Sequence, residues 1–207
     1  MKIALTQRSD YLPDRQEWRD SLDQNWYNLF KGETLIPVPN MIKSFKEWSS
    51  SFDFDLVILT GGNDIEYSTE SQNVCLKRDS VERQILAFSK EANFPVLGIC
   101  RGLQMMNLYE GGGMSYDNQL KIEPHSVFLK TNKDNIDEEV IVNSFHKWSI
   151  PSNKVSSKFK VLGTDCEGNV EAAMHVEHHW LGVMWHPERM PQDCSKVLIS
   201  EFMEGIK

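Results

Sequence analysis

What this sequence lacks narrows it first. It has no run of about 18 consecutive apolar residues, so no segment reads as a membrane-spanning helix. The opening MKIALTQRSD carries neither the apolar stretch nor the cleavage site of a secretory leader, and the expectation is a cytoplasmic chain. Positive charge is scarce: 22 Lys and Arg stand against 30 Asp and Glu, a formal charge of -8. That argues against nucleic acid as a partner, because gripping its backbone needs a basic stripe. A local basic pocket for one phosphate-bearing small molecule is still allowed. Cys75, Cys100, Cys166 and Cys194 are too widely spaced for a disulfide framework and read as thiols. No internal repeat, low-complexity linker or shift in composition divides the 207 residues, so residues 1–207 are expected to form a single domain.

What is present is enough apolar material for a core, at 40% of residues with 10% aromatic. Lys2–Thr6, Leu56–Leu59 and Pro95–Ile99 are short apolar runs that read as buried strands. Between the last two, Asp79 to Ala92 carries Val81, Ile85, Leu86 and Phe88 at helical spacing. Strand, helix, strand is the signature of a parallel sheet in an α/β fold. After Gly111-Gly112-Gly113 the pattern changes to short segments separated by polar turns. These lie around Ser126–Phe128, Val140–Val142, Phe159–Leu162, Val170–Met174 and Leu181–Trp185, and are expected as partly antiparallel strands. Thr131 to Glu139 reads as a polar surface loop, and Asp193 to Ile206 as a closing helix.

The chemistry concentrates in Gly98-Ile99-Cys100-Arg101-Gly102, a nucleophile between two glycines where a buried strand turns into a helix. Such an elbow holds the nucleophile in a strained conformation, and small flanking residues avoid clashes as the helix folds back. The sulfur would stand at the sheet's carboxyl edge near the positive end of the next helix, where a thiolate is favoured. A thiolate nucleophile needs a base, and His186-Pro187-Glu188 offers one. Pro187 biases His186 toward an extended conformation, and residues two apart in an extended chain point the same way, so Glu188 can reach the imidazole. Acyl transfer also needs oxyanion donors, which Gly61-Gly62, after the Leu56–Leu59 strand, and the Arg101 backbone N–H can supply. Each piece has a plain alternative: a buried core cysteine, a capped turn, a strand-ending Gly-Gly.

Taken together, the segments LTGGND (59–64), KRDSVE (77–82), PVLGICRGLQMMN (95–107), GGG (111–113), VNSFHKW (142–148) and GVMWHPE (182–188) resemble the class I glutamine amidotransferase family. The resemblance is to its free-standing γ-glutamyl hydrolase branch, of the peptidase C26 type. It implies a flavodoxin-like central, mostly parallel sheet with helices on both faces and additional short antiparallel strands, and no metal or organic cofactor. It implies that Cys100 attacks a γ-glutamyl carbonyl, that His186 moves the proton and that Glu188 orients His186. It places Gly62 and Arg101 at the oxyanion hole, and Gln104, Asn143, Ser144 and Phe145 around the glutamyl group. The stretch TQRSDY with EWRDSLDQNWYNLF resembles the branch that hydrolyses γ-glutamyl-CDP-amidate, releasing glutamate and a cytidine diphosphoramidate for decorating surface or capsule polysaccharide.

Arg8, Arg15 and Arg19 are candidates to meet a diphosphate, and Trp18 or Trp26 to stack on a base. Trp26 also fits a core position with Leu22, Leu29 and Phe30. Other readings stay open: a γ-glutamyl-γ-aminobutyrate-type hydrolase, a glutaminase subunit feeding ammonia to a separate synthetase, a non-catalytic binding protein, and a metal site among His175, His178, His179 and His186. The expected partner is a small γ-glutamyl molecule, nucleotide-linked in the narrowest reading, and a homodimer is allowed.

Overall fold

The computed structural model describes residues 1–121, 123–130, 137–190 and 196–206. From the amino end, β1 (Lys2–Thr6) leads into a hairpin of β2 (Arg8–Leu12) and β3 (Glu17–Ser21). Then come α1 (Asn25–Leu29), β4 (Thr34–Val38) and α2 (Phe45–Ser49). β5 (Leu56–Leu59), α3 (Leu76–Ala92), β6 (Val96–Ile99) and α4 (Arg101–Tyr109) form the strand–helix alternation read from the sequence. β7 (Ser115–Lys121), β8 (His125–Lys130), β9 (Asp137–Val142) and β10 (His146–Ser149) follow. The chain ends through β11 (Phe159–Asp165), β12 (Val170–His175), β13 (Trp180–Val183) and α5 (Lys196–Glu204).

β5, β6 and β13 are buried at every residue, which is why β5 and β6 read as unbroken apolar runs; β13, expected among partly antiparallel segments, is parallel to β6. Each large aliphatic side chain withdrawn from water there contributes about 1.5–3 kcal/mol. They lie side by side in a nine-stranded sheet ordered β4-β1-β5-β6-β13-β12-β11-β8-β9. From β4 to β13 all neighbours are parallel, and from β13 to β9 all are antiparallel. The α/β expectation therefore holds with a parallel core, and most of the antiparallel strands extend that same sheet. The hairpin β2-β3 and the antiparallel pair β7-β10 stand outside it.

α3 turns Val81, Ile85, Leu86 and Ser89 inward and stops at Asn93, whose φ of 50° suits the one side-chain type that tolerates a left-handed cap well. Ser89 then accepts the Trp180 indole N–H at 2.6 Å, tying the helix end to the start of β13. Two expectations change in this half of the chain. Asp137 to Glu139 begin β9 instead of continuing a loop, because pairing with β8 overrides their polarity; positions 131–136 lie outside the described residues. The strand expected to run to Trp185 ends at Val183, where the Met184 N–H turns to the Glu171 carbonyl. Of the closing helix, Lys196 to Glu204 is observed, while Asp193 and Cys194 fall outside the described residues. No helix among those described is long and apolar enough to cross a membrane.

The parallel strands all end at one edge, which gathers segments far apart in sequence: Gln7-Arg8 after β1, Thr60–Asn63 after β5, Cys100 after β6, and Met184–Arg189 after β13. In open parallel sheets that edge is where ligands bind.

Candidate active site

Cys100 sits at φ 51°, ψ -104°, a conformation that costs a non-glycine residue about 1–3 kcal/mol. Its neighbours hold it there. The Cys100 N–H donates to the Val183 carbonyl at 2.7 Å, and its carbonyl accepts from Gln104 N–H at 3.2 Å as the first turn of α4. The glycines around it are steric necessities. A Cβ on Gly102 would lie 2.2 Å from the Leu59 carbonyl oxygen, and one on Gly98 would lie 2.7 Å from the Gly102 backbone. Gly182, the register partner of Gly98 on β13, belongs to the same arrangement, since its Cβ would meet Leu103 of α4 at 2.4 Å. Three glycines thus let α4 press onto β5, β6 and β13, and the sulfur is left at the strand end, 5% exposed.

His186 is brought to Cys100 by β13, the neighbour of β6. Its Nδ1 lies 2.7 Å from Glu188 Oε1, both side chains being nearly sealed from solvent. The reason differs from the sequence argument: the backbone is not extended through this motif. Residues 187–189 form a 3-10 turn, opened by Pro187, whose missing N–H and fixed φ suit a first helical position. That turn folds Glu188 back onto the imidazole. Burial opposes the charged imidazole, but the Cys100 thiolate it contacts, with hydrogen bonds to Cys100 and Glu188, outweighs burial and raises its pKa to about 10. The resting imidazole is therefore held in its charged form. Asn143 grips the same residue from outside, donating to the His186 carbonyl at 2.9 Å and accepting its N–H at 2.7 Å.

The Thr60–Asn63 loop is held by a buried arginine. Arg78, fully enclosed, donates to the carbonyls of Thr60 at 2.6 Å and Gly61 at 3.0 Å, to Asn63 at 3.3 Å and to Glu82 at 2.9 Å. Because the peptide is trans and planar, pinning the Gly61 carbonyl points the Gly62 N–H the opposite way. Gly61 needs its lack of a side chain: a Cβ would stand 2.5 Å from His186 Cε1. The Arg101 side chain, expected only to offer its backbone, turns inward to Glu82 and Asp79. Burial resists ionisation of Glu82, yet Arg101 and Arg78 outweigh it and hold its carboxyl below the ordinary range.

With this arrangement in view, the sequence profile of the family described as Peptidase C26 matches residues 32–188. The chain belongs to the peptidase C26 family. Among curated proteins, it is 32% identical to the γ-glutamyl-CDP-amidate hydrolase of Campylobacter jejuni, over 91% of this chain and 90% of that one. It is 30% identical to the glutamine amidotransferase-like protein YvdE of Lactococcus lactis, over 80% of this chain and 79% of that protein. The fold matches a crystal structure named for a GMP synthase subunit of Thermoplasma acidophilum at TM-score 0.71 and 20% identity, covering 100% of this chain and 93% of that one. This C26 protein is a class I glutamine amidotransferase-like hydrolase.

Two cavities open beside Cys100, His186 and Glu188 and meet at Arg8, Gly62, His186 and Arg189. The larger, about 320 Å³, is lined by Cys100, Arg101, Gln104, Phe145 and His146, among others. The smaller, about 250 Å³, runs past Ser21, Leu22, Asp23 and Trp26. Gln104 is buried and donates to the Trp148 carbonyl at 3.1 Å, and Phe145 stands edge-on to His186 at 5.5 Å. Asn143 and Ser144 line neither cavity. Of the three candidate arginines, only Arg8 reaches the cleft. Arg19 pairs with Glu17 on the exposed hairpin, and Arg15 sits at the hairpin's exposed turn. Trp26 is 2% exposed and stacks on Phe30, a core residue that also edges the smaller cavity, whereas Trp18 lies outside on the hairpin.

His175, His178 and His179 occupy the amino end of β13, opposite the cleft, packed among Trp180, Phe159 and Phe202. Among the described residues no group of three or more potential ligands converges on a metal position. Sequence reasoning gave no role to Arg189, to Gly182 or to the charged face of α3. Arg78 and Glu82, spaced i and i+4 on that otherwise buried face, were the available signal.

Proposed function

We propose that the chain cleaves a γ-glutamyl amide through Cys100, His186 and Glu188, with γ-glutamyl-CDP-amidate as substrate and glutamate and cytidine diphosphoramidate as products. The observation that carries this reading is the continuous chain of contacts from the Cys100 sulfur to His186 to Glu188, opening into a cleft at the carboxyl edge of the sheet.

The Cys100 thiolate attacks the γ-carbonyl carbon, and the carbonyl electrons move to oxygen. The N–H groups of Gly62 and Arg101 receive that oxyanion. As the intermediate collapses, the C–N bond breaks and His186 gives its proton to the departing nitrogen, leaving a glutamyl thioester. His186, now neutral, takes a proton from water, which attacks the thioester. Glutamate leaves and the thiolate returns. Glu188 holds the imidazole in the tautomer both steps need. Gln104 and Phe145 frame the glutamyl end, and Arg8 serves the leaving group. The identity with the Campylobacter jejuni hydrolase along nine-tenths of the chain supports the nucleotide-linked substrate.

Glutamate release tests this against γ-glutamyl-CDP-amidate, γ-glutamyl-γ-aminobutyrate, γ-glutamyl dipeptides and glutamine. Preference for the nucleotide conjugate is expected. The likeness to a glutamine-hydrolyzing GMP synthase subunit of Methanococcus maripaludis favours one rival, a glutaminase subunit; glutamine turnover that rises with a synthetase partner would establish it instead. Cys100→Ala should abolish release with the fold retained, and mass spectrometry should find a glutamyl adduct on Cys100 and not on Cys75, Cys166 or Cys194.

A further inference from the structure

Among the described residues, Arg8 and Arg189 are the only arginines that line both cavities, as His186 also does. Arg8 arrives after β1 and packs against Gly62, where a Cβ would lie 2.9 Å from the Arg8 Cβ. Arg189 follows Glu188 directly. Its guanidinium carbon is 4.9 Å above the Phe145 ring, and its Nε is 3.3 Å from Asp23 and 3.6 Å from Glu188. The Arg8 Nε donates to Asp10 at 2.9 Å. In both side chains the inner nitrogen faces a carboxylate, and the side chains stay 44% and 34% exposed toward the cleft. A guanidinium oriented through Nε and open at its outer edge is the form that grips phosphoryl oxygens in bidentate fashion.

His186, the proposed proton donor to the departing nitrogen, lines both cavities too. A group bonded to that nitrogen therefore emerges where the arginines stand. We propose that Arg8 and Arg189 form a clamp for a phosphoryl group attached directly to the scissile nitrogen, selecting phosphoramidate leaving groups over carbon-based amines. This rests on the reading of Cys100 and His186 given above and adds the determinant of leaving-group choice. The carboxylates of Asp10 and Asp23 hold the two guanidinium groups through their inner nitrogens, so the outer forks fit the paired oxygens of a singly charged phosphoryl group, and a carbon-based amine offers no such oxygens. That contrast gives the clamp discrimination as well as affinity.

Calorimetric titration of the full chain with inorganic pyrophosphate tests the site without turnover. Binding is expected in the parent protein and in Arg15→Met, and at least about tenfold weaker in Arg8→Met and in Arg189→Met, each having lost one charged donor fork. No binding by the parent, or equal binding by all four proteins, overturns the clamp. Kinetics give the second readout: in Arg189→Met, kcat/KM should fall at least about tenfold more for γ-glutamyl-CDP-amidate than for γ-glutamyl-γ-aminobutyrate. An equal fall for both would show that Arg189 only supports Glu188, and overturns its part in the clamp. A protein that binds pyrophosphate through both arginines yet releases no glutamate would sink the hydrolase reading and leave the anion site standing.

Discussion

Alanine at position 61 is a demanding test of how the imidazole is seated. Its Cβ would fall 2.5 Å from His186 Cε1 and 3.4 Å from each ring nitrogen. Carbon–carbon contacts settle at about 3.5 Å, so the ring must retreat by about 1 Å. It has little room to do so, with Glu188 2.7 Å from Nδ1 and Asn143 holding the His186 backbone on both sides. A displacement of that size between reacting groups costs about 100-fold in rate, or about 2.7 kcal/mol of activation free energy. Backbone strain does not add to it, because Gly61 is not among the residues with positive φ. The crowding itself should destabilise the fold by about 1–3 kcal/mol. Gly111→Ala is the matched control: φ is +81° with no atom within 4 Å, so it should cost about 1–2 kcal/mol of strain and leave turnover intact. Glutamate release under kcat/KM conditions, with urea denaturation of the same samples, separates the two effects. A folded Gly61→Ala protein within about threefold of the parent's kcat/KM would refute the claim that His186 works only in this seat.

The charged imidazole also has a stability signature. With a folded pKa of about 10 against an ordinary value of 6.5, its contribution is complete below pH 6.5 and is lost as the pH rises through about 10. Cys100→Ala removes the thiolate responsible, so denaturant midpoints measured across that window should fall less steeply for the variant; parallel curves would contradict the ion-pair assignment. Arg78→Met leaves Glu82 with one fewer cation and frees the Thr60 and Gly61 carbonyls, and is expected to lose about 3–5 kcal/mol in urea unfolding. A loss below about 1 kcal/mol would mean that Arg78 does not hold the loop.

The sequence alone determined the elements whose signals are local. Apolar runs without alternation marked β5 and β6 because parallel strands are buried on both faces, and Gly98 and Gly102 marked the elbow because no side chain fits where a helix doubles back on its strand. The family resemblance added the pairing of Cys100 with His186 across more than eighty positions. Tertiary structure alone decided the rest. Adjacency of β13 to β6 in the sheet order set His186 beside Cys100, a 3-10 turn and not an extended chain delivered Glu188, and Asn143 came in from a distant loop to hold the His186 backbone. Arg8 and Arg189, 181 positions apart, line the same cleft only because β1 and β13 end at the same edge. Strand order is a long-range property: it depends on which buried faces match across the whole sheet, and no window along the chain contains that information.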